Sequence, residues 1–70
     1  MPEMHPIVSS NVEAIGYDPD NQELHVRFKS GATYAYYDVE EWVFREFMQA
    51  GSKGSYLNTN IKDRYPYKRL

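Results

Sequence analysis

The residues whose types and spacing could do chemistry are cations interleaved with aromatic rings. Arg27, Lys29 and Tyr37 fall in the middle of the chain; Lys53, Lys62, Arg64, Tyr67, Lys68 and Arg69 fall near its end. Single-stranded RNA is read by cations that track the phosphate backbone and by aromatic faces on which bases stack. RNA or another single-stranded nucleic acid is therefore one partner class that this set fits. Against it stands the formal net charge of -2, a poor basis for non-specific polyanion affinity. A second class is a protein partner, met by Trp42 and an open sheet face, because tryptophan concentrates binding energy where it is exposed. The bland reading of Trp42 is a ring half-covered by a neighbouring loop.

Catalysis finds little support. There is no nucleophile elbow, no glycine-rich phosphate loop and no metal-ligand spacing. Ser9 and Ser10 have no histidine that sequence places beside them, and His25, next to Arg27 on a strand, reads as solvated. With no cysteine, disulfides and thiolate chemistry are excluded. His5 and His25 have no second metal ligand at a recognisable spacing. No enzyme activity, cofactor or metal is expected. Neither a signal-peptide pattern nor an apolar run of membrane-spanning length is present, so a cytoplasmic protein is the expectation.

The charge is unevenly spread. Residues 1–51 carry nine acids against three bases, a balance of -6; residues 52–70 carry five bases against Asp63 alone, a balance of +4. Such a basic end can form a polyanion-binding patch. It can equally pack against the acidic body of its own chain.

These side chains must be positioned by a β-hairpin over Glu23 to Asp38. Leu24, Val26 and Phe28 alternate with His25, Arg27 and Lys29, the pattern of a half-buried strand, and Thr33 to Tyr37 reads as its partner. If the loop is Lys29-Ser30-Gly31 with a left-handed Gly31, Val26 faces Tyr34, Leu24 faces Tyr36, and both tyrosines join the core face. If the loop is Ser30-Gly31 alone, both rings move to the open face beside Arg27, since a one-residue slip exchanges the faces. Turn chemistry favours the longer loop.

Met1 to Pro6 has two prolines and no periodicity, and reads as a flexible lead-in to one domain over 7–70. Val12 to Tyr17 is a short strand with apolar residues on both sides, so its buried side stays open. Asp18-Pro19-Asp20-Asn21 is a turn to the next strand. Asp38 is expected to cap a helix ended by Gly51, with Val39, Val43, Phe47 and Ala50 on its apolar arc and Glu41-Arg45 as an ion pair opposite. A short second helix follows over Ser52 to Arg64, with Tyr56, Leu57 and Ile61 turned inward. Tyr65-Pro66-Tyr67 is extended. The fold expected is α+β: a three-stranded antiparallel β-meander, then one long and one short helix packed on one sheet face.

Taken in order, Ser9-Ser10-Asn11, Gly16-Tyr17-Asp18, Leu24-x-Val26-x-Phe28, Gly31, Tyr34-x-Tyr36, Ser52-x-Gly54-x-Tyr56, Asn60-Ile61 and Tyr65 resemble the KTSC domain. That family is named for a C-terminal extension of some bacterial lysyl-tRNA synthetases, and also occurs as small stand-alone bacterial and phage proteins. The resemblance spans nearly the whole chain. Glu40 departs from it where proline is frequent, and Tyr56-Leu57 stands where phenylalanine is frequent; neither change threatens the fold. The resemblance implies no established activity, though the synthetase attachment suggests RNA. Tyr34-x-Tyr36 is the family's central motif, and the longer loop makes that pair structural.

Overall fold

In a computed structural model that describes residues 2–70, the hairpin takes the longer loop. The Phe28 amide donates to the Ala32 carbonyl at 2.8 Å, and the Gly31 amide to the Phe28 carbonyl at 2.9 Å. Gly31 has φ +100°, a conformation that costs a side-chain-bearing residue far more than glycine. Val26 therefore lies opposite Tyr34 and Leu24 opposite Tyr36. Tyr36 is buried on the core face and Tyr34 half-buried beside it.

The meander is larger than three strands. The sheet has five antiparallel strands in chain order: β1 (His5–Pro6), β2 (Val12–Asp18), β3 (Glu23–Phe28), β4 (Thr33–Tyr36) and β5 (Tyr67–Arg69). The two extra strands lie at the edges. β1 falls in the stretch expected to be a flexible lead-in, and pairs His5 with Ile15 and Pro6 with Ala14. β5 continues the extended Tyr65-Pro66-Tyr67 segment and pairs Tyr67 with Tyr36 and Arg69 with Tyr34. Short edge strands are held by backbone bonds to a neighbour, so their side chains need show no alternation.

A bulge settles which side of β2 is buried. The register shifts between Val12 and Ala14, so Val12 faces Phe28 while Ile15 faces Val26. The extra residue, Glu13, lets Val12 and Ile15 enter one core although three positions separate them. The link from β2 to β3 is the expected turn: Asp18 accepts from the Asp20 amide at 3.0 Å and from the Asn21 side chain at 2.8 Å. Those bonds, the Asn21 side chain first, hold the Asp18 carboxyl below its ordinary pKa.

The long helix, α1 (Glu41–Gln49), begins later than expected. Asp38 does not cap it; that residue sits at φ +60°, and Glu40 stands at the N-cap with no side-chain cap bond. The left-handed turn at Asp38 instead swings Val39 inward, where its amide donates to the Gln22 carbonyl at 2.9 Å and its carbonyl accepts from the Tyr17 hydroxyl. Nor does Gly51 end the helix. Ala50 is already extended, and its carbonyl accepts from the Lys53 ammonium at 2.8 Å. Val39, Val43 and Phe47 are fully buried against Ile15, Leu24 and Val26, with Ala50 at the margin. Arg45 and Glu41 form the expected pair at 2.8 Å on the solvent side.

A four-residue helix, α2 (Lys53–Tyr56), follows, with Ser52 accepting from the Ser55 amide at 3.3 Å. It runs into a π-helical turn over Leu57–Ile61, closed by the Lys62 amide on the Leu57 carbonyl at 2.8 Å. The turn puts Leu57 and Ile61 in the core.

The opposite sheet face is only partly open. His25, expected to be solvated, is 5 % exposed, and its Nε2 lies 3.2 Å from Glu23. Its neighbour across the strand pair is Gly16. A Cβ there would come within 2.6 Å of the Glu3 carbonyl oxygen and 2.7 Å of the Met4 sulfur. The N-terminal segment thus runs across this row of the sheet, and only a glycine lets it pass.

Candidate functional site

On the core face, beyond the reach of α1, the sheet and the helical C-terminal region leave a groove of about 370 Å³. Phe28, Tyr34, Tyr36 and Tyr67 form the sheet wall; Leu57, Asn58, Lys62 and Asp63 face them from the π-helical turn and the residues after it. Asn11 and Ser30 lie at one end.

The wall follows from strand geometry. Residues two apart on a strand share a face, so Tyr34 and Tyr36 stand side by side, with ring centroids 6.5 Å apart. Pairing with β5 places Tyr67 between them, 5.7 Å from Tyr34 and 5.8 Å from Tyr36, and Phe28 meets Tyr34 edge-on at 5.7 Å. Tyr67 is 57 % exposed, so its ring remains open to a partner. Burial, then the neighbouring Tyr34 and Tyr67 and the Asp63 carboxylate, push the Tyr36 hydroxyl above its ordinary pKa. The Tyr36 hydroxyl therefore stays neutral at physiological pH.

The helical wall is held by the backbone on both sides of Asp63. The Lys62 amide bonds to Leu57, and the Arg64 amide bonds to Ile61 at 3.1 Å. Between them Asp63 adopts φ +68°, uncommon for a residue other than glycine. π-helical turns recur at functional sites, and this one supplies Asn58 to the groove while the two residues after it supply Lys62 and Asp63.

The cations and rings singled out in the sequence do not form one surface. Lys62 and Tyr67 line the groove, and Arg69 shares the face of Tyr34. Arg27 is on the opposite sheet face, where its Nε donates to Glu13 at 2.8 Å, and Lys68 is on that same face opposite Ala35. Lys29 is exposed after β3; Tyr37 is half-buried, its amide bonded to Pro66. Lys53 is tied to the Ala50 carbonyl, and Arg64 donates to the Thr59 carbonyl at 3.1 Å. Trp42 is 55 % exposed, with its Nε1 on Glu40 at 3.1 Å, and borders a smaller pocket of about 210 Å³ with Arg64 and Tyr65. Sequence reasoning missed Asn11, Asn58 and Asp63, and placed Tyr34 and Tyr36 either in the core, which it favoured, or on the open face beside Arg27. The extended Tyr65-Pro66-Tyr67 segment was the one signal that could have led to the tyrosine wall.

Among the described residues, no cation of the basic end has a carboxylate within 4.0 Å. The segment docks on the body through the buried Leu57 and Ile61 and through strand pairing of β5, without an ion pair among the described residues. No three His, Cys, Asp or Glu side chains among the described residues are grouped to hold a metal ion. No helix among them is long and apolar enough to cross a membrane.

The model of the KTSC domain matches residues 8–65. The chain belongs to that family. A crystal structure of a KTSC domain protein from Yersinia pestis superposes with a TM-score of 0.94 at 37 % identity, covering 100 % of this chain and 99 % of that one. A protein of Tsukamurella paurometabola is 47 % identical over 62 residues, 89 % of this chain and 92 % of its own length. A lysine–tRNA ligase of a Nostoc species is 38 % identical over 61 residues, 87 % of this chain but 11 % of the ligase. The KTSC domain thus occurs both as a protein of this size and as a small part of a much larger enzyme.

Proposed function

We propose that this KTSC domain binds single-stranded nucleic acid, RNA in particular, as a binding module without catalysis of its own. The observation that carries the reading is the wall of three adjacent tyrosines lining a groove that also holds Lys62. Stacking on aromatic faces is worth about 1–3 kcal/mol per base and tolerates any base. A base inserted against Tyr67 would leave its phosphate within the field of Lys62 and Arg69, both free of acidic partners among the described residues. The kinship with lysine–tRNA ligases, whose name sets them to work on a tRNA, supports RNA over DNA. The chain's net charge of -2 predicts modest affinity that depends on the local patch.

Fluorescence anisotropy with a labelled oligoribonucleotide across a salt series tests this. Binding should weaken with salt, by about 0.7 in logarithmic slope for each phosphate neutralised. Lys62→Gln with Arg69→Gln should flatten that slope, while Arg27→Gln, on the other face, should leave it unchanged. Absence of saturable binding at low salt would sink the reading. A second reading, a protein-interaction module, is favoured by the 55 % exposure of Trp42. A lysate pulldown whose partners survive nuclease treatment and are lost with Trp42→Ala would support it instead.

A further inference from the structure

We propose that the groove selects guanine. The inference rests on the single-stranded nucleic-acid reading and adds which base the groove accepts. Its carrier is Asp63, the one acid in residues 52–70, which the backbone bonds of Lys62 and Arg64 hold in the groove wall in a left-handed conformation. Among the described residues Asp63 has no cation within 4.0 Å. A carboxylate left without a partner beside an aromatic wall repels phosphate, so the group that enters next to it is a base.

An ionised carboxylate only accepts hydrogen bonds, through two oxygens side by side. Guanine alone offers two adjacent donors on its Watson–Crick edge, the ring N1–H and the exocyclic amine. Adenine and cytosine offer one amine beside an acceptor nitrogen. Uracil offers one N–H flanked by two carbonyls that an anion repels. A guanine stacked on Tyr67 and Tyr34 can present both donors to Asp63 across the groove. Its volume of about 370 Å³ lies within the range of small-molecule sites, about 300–1,000 Å³. Asn58 in the same wall can supply an amide donor to the guanine carbonyl.

The test uses the whole protein and short oligouridines whose central nucleotide is guanosine, inosine, adenosine, cytidine or uridine, measured by anisotropy. The guanosine oligomer should bind tighter than the uridine one by roughly 5- to 150-fold, the range for one good bidentate base contact. Inosine, which lacks the exocyclic amine, should lose much of that advantage. Asp63→Asn keeps the size of the side chain and is tolerated in the left-handed region, so the fold and melting temperature should hold while the guanosine preference collapses. Equal binding of all five oligomers, or inosine equal to guanosine, would overturn the guanine assignment and leave the nucleic-acid reading standing. No binding of any oligomer would overturn both.

Discussion

One face of the sheet is finished in two different ways. Under α1, the aliphatic residues Ile15, Leu24 and Val26 are covered by Val39, Val43 and Phe47, and nothing on either side is exposed. Further along the same face, Tyr34, Tyr36 and Tyr67 face only a π-helical turn and the two residues after it, across a groove. The first half has a nine-residue helix whose apolar arc matches the sheet. The second has a cover too short to close; Tyr36 is buried there, but Tyr34 and Tyr67 stand partly in water, as amphipathic rings can. The closed half supplies stability, and the open half is where a ligand can be met.

That division can be broken from the closed side first. Phe47→Ala should cost about 3–5 kcal/mol, the usual range for truncating a buried phenylalanine. For a domain of this size that is a large share of total stability. A thermal melt would show it, and an unchanged midpoint would mean that α1 does not close the core. Tyr67→Ala addresses the open side. It should weaken RNA binding by about 1–3 kcal/mol and barely move the melt, because the ring is more than half exposed. A large loss of stability would show that the two halves are one core.

Gly31→Ala sharpens the boundary, since this turn decides which rings line the groove. Nothing stands within 4 Å of a Cβ at this position, so the cost is torsional. It should be about 1–2 kcal/mol, the cost of a left-handed conformation in a residue with a side chain, read in a urea titration. The smallest effect concerns Tyr56, which stacks on Phe47 at 5.5 Å and donates to Glu46 at 2.9 Å. Burial and that carboxylate push its hydroxyl up to about 12. The unfolded chain releases this proton near pH 10 and the folded one later, so the folded state binds more protons in between. The stabilisation is fully present below pH 10 and falls away as pH rises towards 12. Tyr17 and Tyr36, shifted the same way chiefly by burial, add to this limb. Tyr56→Phe should make the alkaline decline shallower, as followed by melts over that range.

What the sequence made legible was whatever depends on neighbours along the chain. Gly31 announced its turn, and Val39, Val43 and Phe47 announced their arc. The KTSC resemblance, read from motifs in order, was confirmed by the family match over residues 8–65. The features that stayed hidden depend on partners distant in sequence. β1 and β5 are defined by the strands they lie against. The bulge at Glu13 merges two apolar sides that alternation keeps apart. His25 is buried in the row where the N-terminal segment crosses Gly16. Tyr67 meets Tyr34 and Tyr36 only once β5 has been added, so the groove could not be assembled from local pattern. Lys68 looked like a companion of Lys62 in the charge balance, but strand parity sends it to the opposite face, where Arg27 stands as the alternation of its strand required.

The two outer strands also bear on the behaviour of the protein at high concentration. A sheet that ends in unpaired backbone groups invites a second molecule to extend it, which is a route to aggregates. Here each border carries its own deterrent. β1 is two residues long and ends in Pro6, which has no amide proton to offer an incoming strand. β5 is three residues long and carries Lys68 and Arg69, so a second copy approaching in register would meet like charge. The tyrosine-rich strand β4 lies between β3 and β5 and never forms a border.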